Sequence, residues 1–79
     1  MGIGLVATLV EHYGFSLEDT KNIYESSTSI LNLIDNLCAK SEKLTRGKII
    51  EKWSSDPALI EQINVVRKLL GQVNLTYDL

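Results

Sequence analysis

The sequence predicts an all-α protein, a compact antiparallel bundle of about five short helices. Three observations lead there. Apolar residues recur at three- and four-residue steps along most of the chain, the spacing that lines side chains along one face of an α-helix. No stretch alternates apolar and polar residues with period two, and no hairpin pair such as Asn-Gly is present. Residues that start and stop helices (Gly14, Ser16, the run Ser26-Ser27-Thr28-Ser29, Asp56-Pro57 and Gly71) fall between the periodic stretches. Short helices with short connections pack against their chain neighbours.

The first predicted helix carries Ile3, Val6, Leu9, Val10 and Tyr13, and Gly14 stops it as a left-handed cap. Ser16 caps the second, over residues 17–25, with Glu18 and Asp19 where the helix dipole favours negative charge. Leu17, Thr20, Ile23 and Tyr24 are expected to face the core. Four hydroxyl residues at 26–29 compete for backbone hydrogen bonds and predict a break there, with the next N-cap inside it. One continuous helix over 17–40 is the alternative. The third helix, within residues 28–40, bears Ile30, Leu31, Leu33, Ile34, Leu37 and Cys38 on its apolar stripe and is expected to be the scaffold, with Asp35 facing solvent. Thr45 and Ser41 are alternative caps for a fourth helix through Ile49, Ile50 and Trp53. Gly47, where it lies inside that helix, weakens it by about 1 kcal/mol relative to alanine.

Asp56 as N-cap and Pro57 at the first helical position mark the clearest boundary in the chain. The fifth helix presents Leu59, Ile60, Ile63, Val66, Leu69 and Leu70. Arg67 and Lys68 lie near its C-terminal end, where cations suit the dipole, and Gly71 is its stop. Residues 1–72 are thus read as one bundle domain. Residues 73–79 are read as a tail, with Val73, Leu75 or Tyr77 as the side chain that would fold back.

At 79 residues the chain lies near the lower limit for folding without disulfides or metal. It is 44% hydrophobic and 23% charged, too apolar for a disordered chain. A single cysteine excludes an internal disulfide. The apolar start has no basic residues before it and is too short to span a bilayer. Val6 stands where a myristoylation motif needs Ser or Thr, and without a secretion signal the sequon Asn74-Leu75-Thr76 is read as chance. A cytoplasmic protein with no membrane partner is the expectation.

The formal net charge of −2 is unevenly spread. Residues 1–39 hold five acids against Lys21 alone, residues 40–52 hold five bases against Glu42 and Glu51, and the remainder is −1. Opposite signs on different elements steer association with a complementary surface, including a copy of the same molecule. The bland reading is that both are solvated faces.

Groups that carry chemistry are few. His12 and Cys38 are each the sole residue of their type. Cys38 lies on the apolar stripe, where its thiolate is disfavoured, so a packing role is expected for it. No His, Cys, Asp or Glu has metal-ligand spacing, and Gly2-Ile3-Gly4 lacks the strand and later glycine of a phosphate loop. No catalytic residue, metal or cofactor is expected. A helix-turn-helix over residues 45–70 is formally laid out, but its reading helix would open with Ala58, Leu59, Ile60 and Glu61, which do not contact bases or phosphates. The pI of about 5.2 also argues against a nucleic-acid partner. Trp53 is read as a core anchor, with an interface hot spot as the functional alternative.

Several segments share a pattern. Residues 15–23 (FSLEDTKNI) form an acidic second helix after a short turn, and residues 32–37 (NLIDNL) are similar to a Leu-Leu-Asp-x-Leu signature in a central helix. Lys43 and Leu44 precede a helix with Ile49-Ile50, and residues 59–63 (LIEQI) open a late helix. Together these resemble the death-fold superfamily, most nearly its caspase-recruitment branch, which usually has six helices. The resemblance implies a non-enzymatic adaptor that binds a protein partner, either a like domain or itself. Its acidic surface would be Glu18, Asp19 and Glu25, and its basic surface Arg46, Lys48 and Lys52. A small helical regulator, DNA-binding or inhibitory, is the alternative function.

Overall fold

Five α-helices form along residues 4–79, the part of the chain that the computed structural model describes. Helix α1 spans Gly4–Tyr13, α2 Leu17–Ser26, α3 Ile30–Lys40, α4 Arg46–Ser54 and α5 Pro57–Leu69. Ile3, expected on the apolar face of α1, lies outside the described residues. The all-α bundle expected from periodicity is the observed architecture, and α2 and α3 are separate helices.

Local chemistry explains most boundaries. Ser16 Oγ accepts from the Asp19 N–H at 3.0 Å, and Ser29 Oγ accepts from the Asn32 N–H at 3.1 Å. Each satisfies one of the donors that a helix start leaves open. Asp56 Oδ1 accepts from the Ala58 N–H at 3.2 Å, with Pro57 directly inside the helix. Thr45 holds the N-cap position of α4 without a side-chain cap bond. Gly71, at φ +77°, turns the end of α5: its N–H donates to the Lys68 carbonyl at 3.0 Å, and the Gln72 N–H donates to Arg67 at 2.9 Å. That pair of bonds is a Schellman cap, which needs a left-handed residue. Gly14, at φ +73°, plays the same stopping role after α1.

The core gathers around α3. Ile30, Leu33, Ile34 and Leu37 are at most 1% exposed, and burying a side chain of this type contributes about 1.5–3 kcal/mol. α3 packs on α2 and α4, while α5 packs on α1, α2 and α4. Leu9, Phe15, Ile23, Tyr24, Ile49, Trp53 and Ile63 close the core. Its Cα radius of gyration is 11.3 Å, against about 11.6 Å for a compact chain of this length.

Two expectations from periodicity are corrected. Leu17 is 69% exposed and Leu69 78% exposed, because each sits in the terminal turn of its helix, beyond the layer that covers it. Arg67, read from the sequence as a cation near the C-terminal end of α5, is buried, only 3% exposed. Its Nη1 donates to the main-chain carbonyls of Tyr24 at 2.5 Å and Ser27 at 2.6 Å, and its Nε donates to Val73 at 2.9 Å. The guanidinium thus ties together the end of α2, the α2–α3 turn and the segment after α5.

Residues 73–79 lie against the body. Leu75 is buried, its N–H donating to Asn64 Oδ1 at 2.9 Å, whereas Val73 and Tyr77 are exposed. Thr76 pairs in parallel with Ser29: its N–H donates to Thr28 at 3.3 Å and its carbonyl accepts from the Ile30 N–H at 2.9 Å. Asp78 Oδ1 accepts from the Leu31 N–H at 2.8 Å, a cap on α3 delivered from the far end of the chain. That N–H, helped by the Ser29 hydroxyl, holds the Asp78 carboxyl below the usual carboxylate range.

Candidate interaction surface

The acidic residues occupy α2. Asp19 and Glu25 line one shallow depression with Asn22, Asn36 and Gln72, while Glu18 is exposed outside it. Glu25 is half-buried and pairs with Lys21 at 3.7 Å, one helical turn away. Such an exposed pair is weak, so α2 retains Glu18 and Asp19 as acids without an ion-pair partner among the described residues.

The basic residues divide. Arg46 Nε lies 3.3 Å from Asp35 Oδ1, so its charge is partly spent against the solvent face of α3. Lys48 and Lys52 instead border a groove of about 140 Å³ between α1 and α4. They stand four residues apart on one face of α4, about 6 Å along the helix axis. Lys43, which precedes α4, joins them at the same groove. Periodicity could not single out Lys43, because it lies in the α3–α4 connection. None of these lysines has a carboxylate partner among the described residues. The groove floor is apolar and includes Leu9, Leu37, Leu44, Ile49 and Trp53. Trp53 is only 4% exposed, so its main role is in the core, with an edge at the groove. The first turn of α4 holds no acid, which leaves the positive end of the helix dipole uncompensated beside the lysines.

Reactive groups do not converge. The Cys38 thiol is half-buried and pushed above its ordinary range, first by burial and then by the Asp35 carboxylate, with Arg46 opposing. His12 is exposed, its ring edge-on to Tyr13 at 4.9 Å between centroids. Among the described residues no group of three or more His, Cys, Asp or Glu is placed to hold a metal ion, and no helix is long and apolar enough to cross a membrane. In the opening turn of α5, Leu59 and Ile60 are half-buried, leaving Ala58 and Glu61 outward. The chain matches no family model, no curated protein and no solved structure.

Proposed function

We infer that this chain is a non-enzymatic protein-interaction module that binds a like domain, a second copy or a related bundle, through its acidic and basic helix faces. The observation that carries the reading is the groove between α1 and α4: three lysines without ion-pair partners among the described residues rim an apolar floor. The lysines steer an acidic surface toward the groove, and the apolar floor supplies the short-range attraction once water leaves. The acids on α2 are the complementary surface within this same chain. The resemblance to death-fold adaptors supports the same reading. An exposed ion pair contributes about 0.2–1 kcal/mol, so several act together and association weakens as salt rises.

The test is a double substitution, Lys48→Glu with Lys52→Glu, read by chemical cross-linking and size-exclusion chromatography at low salt. Arg46 stays unchanged because it is engaged with Asp35. The reading requires loss of association with helical content intact; a variant that associates like the parent chain contradicts it.

A further inference from the structure

Residues 73–79 occupy their place on the body as a bound peptide would. Every hydrogen bond described for the segment's main chain goes to a group on the body: Val73 to Arg67, Leu75 to Asn64, and Thr76 to the backbone at positions 28 and 30. Only Leu75 among its side chains is fully buried, with Leu79 half-buried, while Val73 is 80% and Tyr77 58% exposed. Asp78 then places its carboxylate at the N-terminus of α3, where the helix dipole favours an anion. The elements of recognition are therefore one main-chain bridge at Thr76, side-chain bonds from Arg67 and Asn64 to the main chain of Val73 and Leu75, one apolar pocket and one carboxylate site. Main-chain hydrogen bonds supply affinity and a side-chain pocket supplies specificity when an extended peptide is bound. The segment is also easily released in topological terms. It follows the Gly71 cap directly, so no helix is broken when it leaves.

We propose that the slot formed by residues 28–31, Asn64 and Arg67 is a recognition site for an extended segment of another protein bearing an apolar residue followed three positions later by a carboxylate, and that residues 73–79 hold the slot shut in cis. The template is Leu75 and Asp78. When the segment leaves, the Ile30 and Leu31 N–H groups, the Asn64 carbonyl oxygen and the Arg67 Nε–H all lose partners together, and a peptide of the same pattern restores them. The site is separate from the groove between α1 and α4, and stands or falls independently of the proposed function.

The probe is a fluorescently labelled peptide of residues 72–79, titrated by anisotropy against the full chain and two full-chain variants. Asp78→Lys weakens the cis segment at an exposed position, and Leu75→Ala empties its pocket. Because the cis segment competes with the probe, releasing it tightens apparent binding. The expected result is a Kd at least about tenfold lower for both variants than for the unsubstituted chain. A probe whose own leucine or aspartate is replaced should lose binding. If Leu75→Ala fails to fold by circular dichroism, Asp78→Lys decides alone. No binding to a folded Asp78→Lys chain overturns the proposal, as does equal binding of the substituted probes. A dimer of the unsubstituted chain that Asp78→Lys dissolves would assign the slot to a second copy, and overturns it as well.

Discussion

The guanidinium of Arg67 donates through Nη1 to the main-chain carbonyl of Tyr24 at 2.5 Å, joining α5 to the end of α2 across 43 residues of sequence. The partners described for this buried cation are carbonyl oxygens, at Tyr24, Ser27 and Val73, and it forms no ion pair among the described residues. Charge-assisted hydrogen bonds of this kind stabilise by about 1.5–3 kcal/mol each. Removing the donor strands the buried carbonyls of Tyr24 and Ser27.

Arg67→Ala should therefore cost about 3–5 kcal/mol, a large part of the stability of so small a domain. Arg67→Lys should recover only part of it, because an ammonium cannot span the same forked set of acceptors. Urea unfolding followed by circular dichroism measures both. A loss under about 1 kcal/mol for Arg67→Ala would refute the role assigned to it.

Tyr24 presents the opposite case at the other end of its side chain. Its hydroxyl is buried with no hydrogen-bond partner among the described residues, and burial pushes the phenol far above the ordinary tyrosine range. An unpaired buried hydroxyl costs stability. Tyr24→Phe should be neutral or stabilising by up to about 1 kcal/mol. A destabilised variant in thermal melting would mean that the hydroxyl has a partner after all.

Asp78 predicts a pH dependence. Its carboxyl is held below the ordinary 3.8 chiefly by the Leu31 N–H, so the folded state favours the ionised form. That contribution is fully present above the unfolded pKa and is lost as pH falls through the lower folded value. Asp78→Asn should be less stable than the parent at neutral pH, and the difference should close on acidification below about pH 4. Urea midpoints at neutral and acid pH give the comparison; a gap that is constant across pH would contradict it.

These cases show which parts of the fold were legible in the sequence. Ser16, Ser29, Asp56, Gly14 and Gly71 act on groups within a few residues of themselves, so their types and positions announce the helix ends. The stripe of Ile30, Leu33, Ile34 and Leu37 announces the core, because burial follows helical periodicity. Arg67 and Asp78 carry no such mark. Their partners are main-chain groups 43 and 47 residues away, and main-chain groups are the same at every position. Arg67 therefore reads as an ordinary C-terminal cation, and residues 73–79 as a tail. At the candidate interaction surface, Lys48 and Lys52 were legible as a basic face. The pairing of Arg46 with Asp35, and the addition of Lys43 to the groove, required the fold.

Cys38 tests the reading of its stripe as packing. Burial and Asp35 both disfavour its thiolate, and the thiolate is the reactive form. The native chain should react slowly with iodoacetamide relative to the chain in denaturant. Asp35→Asn should speed the native reaction by about two- to fivefold, by removing the carboxylate and freeing Arg46 to favour the thiolate. Native alkylation as fast as that of the unfolded chain would restore Cys38 as a reactive group.

The central claim, that association runs through opposed charged faces, is tested most directly by charge exchange in sedimentation velocity at low salt. One protein carries Lys48→Glu with Lys52→Glu, and the other carries Glu18→Lys with Asp19→Lys. Each alone should sediment as a monomer, and their mixture should recover association that disappears again at high salt. A mixture that stays monomeric while the unsubstituted chain associates, or either variant alone associating as the unsubstituted chain does, would contradict the account.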